Sequence, residues 1–161
     1  MQYRREKFGR WHGNFCRSGM RVLIADDQRS VGASLGDLVG LCHHEVVDVV
    51  GSGLEAIQAY GRLKPDVVLM NYVMAKLNGA TACRNILAKD PNARIILVSG
   101  MPKVAELADS GAIAVLSKPV ALEILEAALN AAATRSPQPR RRPQVSPAAV
   151  SQAINSGTTD R

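Results

Sequence analysis

Aromatic residues are scarce in this 161-residue chain: Phe, Trp and Tyr make up 4% of it. A core must therefore be built from Val, Ile, Leu, Ala and Met, which the 47% hydrophobic content supplies. Cysteine is scarce too. Cys16, Cys42 and Cys83 are odd in number, scattered and free of any C-x-x-C spacing. That argues against a disulfide framework or a zinc site and predicts a reducing, cytoplasmic setting. No apolar run approaches the ~20 residues of a membrane span. The opening MQYRREKFGRWHGNF is charged but has no apolar run, so it does not read as a secretory signal. The length suits one domain of ordinary size.

Charge is present but unevenly spread. Residues 1–19 hold five Arg or Lys against Glu6, and residues 135–161 hold five Arg against Asp160. Each tail is thus +4, which leaves −2 for residues 20–134 out of the total of +6. A nucleic-acid function argued from net charge rests on the tails alone. The predicted organisation is a basic, disordered extension over 1–19, a domain over 20–134 and a disordered Pro/Arg/Ser-rich tail over 135–161. Within that tail SPAAVSQAINSG has Ser146 as an N-cap, Pro147 at the first helical position and Gly157 as a stop. A helix so short is marginal alone.

Between the tails, strands and helices alternate. RVLIADD (21–27), EVVDVV (45–50), DVVLMN (66–71), ARIILVSG (93–100) and AIAVLSK (112–118) read as strands. Helices are predicted over 30–40, 52–63, 80–90, 102–111 and 121–134. The 52–63 segment opens on Ser52 with Glu55 three residues later, the pattern of a capping box. The strands are continuous apolar runs, as in a parallel sheet covered on both faces. Right-handed crossovers then give an α/β, doubly wound five-stranded parallel sheet.

In such a sheet, ligands meet the carboxyl ends of the strands. Those ends read Asp26-Asp27, Gly51-Ser52, Asn71, Ser99-Gly100 and Lys118-Pro119. Paired carboxylates suit Mg²⁺, a hard cation that takes oxygen ligands. A lysine suits a phosphoryl group. Each residue alone has a plainer role as a helix cap, turn or surface charge. Together, on one edge, they describe a site.

These stretches resemble the receiver domain of two-component response regulators. VLIADDQ (22–28), PDVVLMNYVM with NG at 78–79, IILVSG (95–100) and VLSKP (115–119) carry the resemblance, which spans roughly 20–134. It implies a flavodoxin-like (βα)5 fold. It implies that Asp26, Asp27 and the Val73 carbonyl hold Mg²⁺, and that Ser99, Gly100 and Lys118 meet the phosphoryl group. It also implies that Lys118 pairs with the acceptor, that Lys118-Pro119 is cis, and that Ser99 and Val115 sit at switch positions. Asn71 stands at the phospho-acceptor position. An amide is neutral, with its nitrogen lone pair delocalised, and cannot form the acyl phosphate that a carboxylate forms. Mg²⁺ should bind more weakly with two carboxylates than with three. Three further departures are visible. Ala75 replaces the usual proline, Val115 replaces the usual aromatic residue, and Ser99 and Lys118 lie only 19 positions apart.

Three functions fit. The first is a degenerate receiver of a phosphorelay that acts through partners such as a sensor histidine kinase, or through a homodimer. The second is a phosphorylatable response regulator carrying an engineered Asp-to-Asn block. The third is a scaffold whose basic tails bind nucleic acid, with Phe8, Trp11 and Phe15 available to stack on bases. No enzyme is expected. His12, His43 and His44 fall away from the strand ends, and Cys42 and Cys83 read as core positions.

Overall fold

Every residue of two strands, Val67–Asn71 and Ile95–Ser99, is buried in the computed structural model. This is the physical outcome of apolar runs with no polar alternation: such strands need cover on both faces. The structure describes residues 19–100 and 109–134. In chain order the elements are β1 (Arg21–Ala25), α1 (Arg29–Leu41), β2 (Glu45–Val50), α2 (Gly53–Leu63), β3 (Val67–Asn71), α3 (Gly79–Lys89), β4 (Ile95–Ser99), β5 (Ala114–Ser117) and α4 (Leu122–Thr134). The sheet order is β2-β1-β3-β4-β5 and all pairs are parallel. This is the doubly wound α/β fold read from the sequence. The tails, the SPAAVSQAINSG segment and most of the expected 102–111 helix lie outside the described residues. Residues 109–111 form a turn that ends on Gly111 at φ 78°.

Side-chain alternation splits the core into two layers. Val22, Ile24, Val67, Leu69 and Ile96 pack with Leu35 and Val39 of α1 and with Leu125 and Leu129 of α4. Leu23, Val68, Met70, Ile95 and Leu97 pack with Ala56 and Tyr60 of α2 and with Ala82, Cys83 and Ile86 of α3. The edge strand β2 is less covered and carries Asp48, whose carboxylate is 3.4 Å from Arg62 Nη2. Its pairing with β1 slips by one residue between Val22 and Leu23.

Local chemistry fixes the helix starts. Ser52 Oγ accepts from the Glu55 N–H at 3.2 Å, as the capping box requires. The Glu55 carboxylate reaches the Gly51 N–H at 3.0 Å, one residue before the cap. α3 begins a residue earlier than predicted because Asn78 Oδ1 accepts from the Thr81 N–H at 2.8 Å. Next to it, Gly79 packs directly against the end of β3. A Cβ there would collide with the Asn71 carbonyl oxygen and come within 3.1 Å of Tyr72 Cα.

Two predictions follow from this packing. Gly79→Ala should destabilise the fold by about 1–3 kcal/mol, the usual range for overpacking against a neighbour that cannot retreat. Urea unfolding measures it, and an unchanged midpoint would contradict the contact. Burial pushes the Cys83 thiol up to about 12. Alkylation of the folded protein at mildly alkaline pH should therefore spare Cys83 until denaturant is added, which peptide mass mapping reads directly.

Candidate functional site

Strand register assembles the site. Ala25 pairs with Met70, Asn71 with Val98, and Ser99 with Ser117. The residues at or just past these pairs, Asp26, Asn71, Ser99 and Lys118, therefore share one edge of the sheet. Backbone bonds carry the ladder beyond the strands. The Asp26 N–H donates to the Val50 carbonyl at 3.0 Å, and the Lys118 N–H to the Ser99 carbonyl at 2.9 Å.

Asp26 and Lys118 form a short ion pair. Lys118 Nζ is 2.9 Å from Asp26 Oδ2, with the aspartate side chain 0% exposed and the lysine side chain 25% exposed. The other oxygen of Asp26 accepts from the Gln28 N–H at 2.9 Å. A buried carboxylate is tolerable only when paired and hydrogen-bonded in this way. The resemblance led us to expect Lys118 on the acceptor position. The ammonium is bonded to the buried Asp26 carboxylate, and the neutral Asn71 side chain bonds to Asp27 and Val73.

Asn71 turns its amide nitrogen to two oxygens. Nδ2 donates to Asp27 Oδ1 at 3.1 Å and to the Val73 carbonyl at 2.7 Å. Asp27 is exposed, whereas Asn71 is buried at the end of β3. Ser99 is buried at the end of β4, and Gly100 beside it is exposed. Lys118-Pro119 is cis. Val115 is paired with Leu97 and exposed on β5, facing away from the buried Leu116. Direct hydrogen bonds thus form two groups at this edge, Asp26 with Lys118 and Asn71 with Asp27 and Val73. Ser99 and Gly100 line the same edge, and Val115 lies down the strand from it.

The residue types are those of a Mg²⁺ site, but their arrangement does not fit one. Each candidate ligand already accepts an N–H: Asp26 from Lys118 and Gln28, Asp27 and the Val73 carbonyl from Asn71. Sequence reasoning missed Gln28, Asn78 and Gly79 as parts of the site. For the last two the signal was present, an Asn-Gly pair immediately before a helical pattern.

A model of the response regulator receiver domain matches residues 22–130. This chain belongs to the response regulator receiver domain family. The chemotaxis protein CheY of Thermotoga maritima is 37% identical over 115 residues, which cover 70% of this chain and 96% of that protein. CheY of Listeria monocytogenes is 33% identical over 91 residues, covering 56% of this chain and 76% of that one. Among solved structures, the CheX-CheY-BeF3-Mg²⁺ complex of Borrelia burgdorferi matches with a TM-score of 0.68 at 26% identity. That match covers 72% of this chain and 90% of the other. A LuxR-family two-component response regulator from Aurantimonas gives a TM-score of 0.69 at 26% identity, covering 73% and 88%. The fold is that of CheY-like receivers, and the chain is a receiver domain of two-component signalling. No helix among the described residues is long and apolar enough to cross a membrane.

The Asp26–Lys118 pair generates a prediction. Lys118→Met would leave a fully buried carboxylate without its counter-charge and should cost about 3–5 kcal/mol of stability. Adding Asp26→Asn should recover most of that loss, because the neutral amide needs no cation. Equal losses in the single and double variants would show that the two groups are not coupled.

Proposed function

We propose that this chain is a receiver module that signals by protein–protein contact and carries no aspartyl phosphate. The observation behind it is Asn71. It occupies the end of β3, where the family has its phospho-acceptor, and its side chain is engaged as a hydrogen-bond donor to Asp27 and Val73. An acceptor must offer an anionic oxygen to phosphorus; the amide offers none. On this reading Asp26, Asp27 and Val73 are the metal positions, Ser99, Gly100 and Lys118 the phosphoryl-contacting positions, and Ser99 and Val115 the switch positions. The loss of a third carboxylate weakens Mg²⁺ binding so far that the module works without the ion. The module works in the cytoplasm as a binding protein rather than an enzyme. Its partner is a sensor histidine kinase or another two-component protein. That choice is supported by the Borrelia burgdorferi relative, whose CheY was crystallised with CheX.

A second reading has its own support. Asp26, Asp27, Ser99 and Lys118 are all present around Asn71, as they would be in a phosphorylatable regulator with one engineered replacement. One experiment addresses both. Intact mass is recorded for wild type and Asn71→Asp after treatment with acetyl phosphate and Mg²⁺. The variant should gain one phosphoryl group and wild type none. A phosphoryl group on wild type would defeat the proposal. An unmodified variant would mean that the surrounding residues no longer support the chemistry, which excludes the second reading.

A further inference from the structure

The Asn71 side chain bridges two parts of the chain that lie far apart in sequence. One N–H of its amide reaches Asp27 at the β1–α1 junction, 44 residues away, and the other reaches the Val73 carbonyl in the β3–α3 loop. The hydrogens of one NH₂ group thus sit between a carboxylate and a carbonyl. A divalent cation bonded to those same oxygens at about 2.0–2.1 Å would lie against two hydrogens of positive partial charge. Asp26 is closed in the same manner, with an N–H donor at 2.9 Å on each oxygen.

Charge leads to the same result. An aspartate at position 71 would put three carboxylates against one ammonium, a surplus of two negative charges that calls for a divalent ion. With Asn71 the surplus is one, and the carboxylate left over, Asp27, is exposed and bonded to the amide. The loop itself has need of a tie. Val73 is 67% exposed, Ala75 and Lys76 are exposed, and Lys76 sits at φ 68°. The loop's start is tied to β4, the Tyr72 N–H donating to the Val98 carbonyl at 2.8 Å, and Met74 is buried in the core; beyond Tyr72 the backbone bonds, Leu77 N–H to Ala75 and Gly79 N–H to Tyr72, are local.

We infer that the Asn71 amide does the bridging work of a divalent cation, so that the pocket and its β3–α3 loop hold their shape with no metal. The inference rests on the reading of Asn71 as the acceptor position but concerns shape and stability, not phosphorylation. It makes the surface around Val73 permanent: no ion and no phosphoryl group is needed to set it.

The test is thermal unfolding of the full chain in EDTA and in about 10 mM MgCl₂, with NaCl matching the ionic strength. Wild type should show the same midpoint in both. Asn71→Asp should be lower in EDTA, where three carboxylates repel, and should rise by several degrees with MgCl₂. Asn71→Ala should lose stability in EDTA and regain less from MgCl₂ than Asn71→Asp, which offers the ion a third carboxylate. Amide hydrogen exchange provides a second readout. Residues 72–78 should be equally protected in wild type with and without MgCl₂, and faster to exchange in Asn71→Ala than the rest of the domain. A wild-type midpoint that rises with MgCl₂ as far as that of Asn71→Asp would overturn the inference. So would an Asn71→Ala loop protected like wild type. A wild type that responds to MgCl₂ yet stays unphosphorylated would sink this inference and leave the proposed function standing.

Discussion

Three central strands in parallel register set the geometry of everything else. β1, β3 and β4 contribute Val22, Leu23, Ile24, Val67, Val68, Leu69, Met70 and Ile95 to Val98, all fully buried. Side-chain period two means that a slip of one residue would exchange the two faces of a strand. The register is thus held by both core layers at once. Because the strands run the same way, whatever follows their last apolar residue emerges at a common edge. The acid, amide, hydroxyl and ammonium of the site meet there as a consequence of burial, before any attraction between them acts.

Electrostatics then decides how those groups pair. Buried carboxylates must find a cation, and Asp26 finds Lys118. The amide has no charge to compete with and spends both donors on oxygens nearby. One uncharged side chain thereby occupies two oxygens that are candidate metal ligands, while the lysine stays with Asp26. The fold tolerates this because Asn and Asp have nearly the same shape, so β3 ends the same way with either.

Much of this was legible in the sequence. The continuous runs DVVLMN and IILVSG announced strands covered on both faces, and the structure buries β3 and β4 throughout. Ser52 marked the start of α2 to the residue. The site residues at the ends of β1, β3, β4 and β5 were identifiable because the topology leaves them only one edge. What could not be read was the pairing among them. Spacing places Lys118 near both Asp26 and Asn71, and only three-dimensional distance distinguishes the two. The Glu55 carboxylate likewise bonds one residue away from the simplest pattern, a choice of side-chain rotamer that composition does not encode. The Asn78 cap was missed for another reason. The apolar periodicity of α3 begins after it, so a reading led by periodicity starts the helix late.

The sheet has two open sides, and β2 borders one of them. An open strand invites pairing with the edge of another molecule, the first step toward cross-β assembly. β2 is rich in valine and would be a ready template. Two features already described work against that. The one-residue slip against β1 bends the ladder, and Asp48 places a carboxylate in the middle of the run. A second copy laid alongside would bring like charges together on a strand too irregular to match. The edge that looks least regular in this fold is therefore also the one least suited to pairing with a second copy.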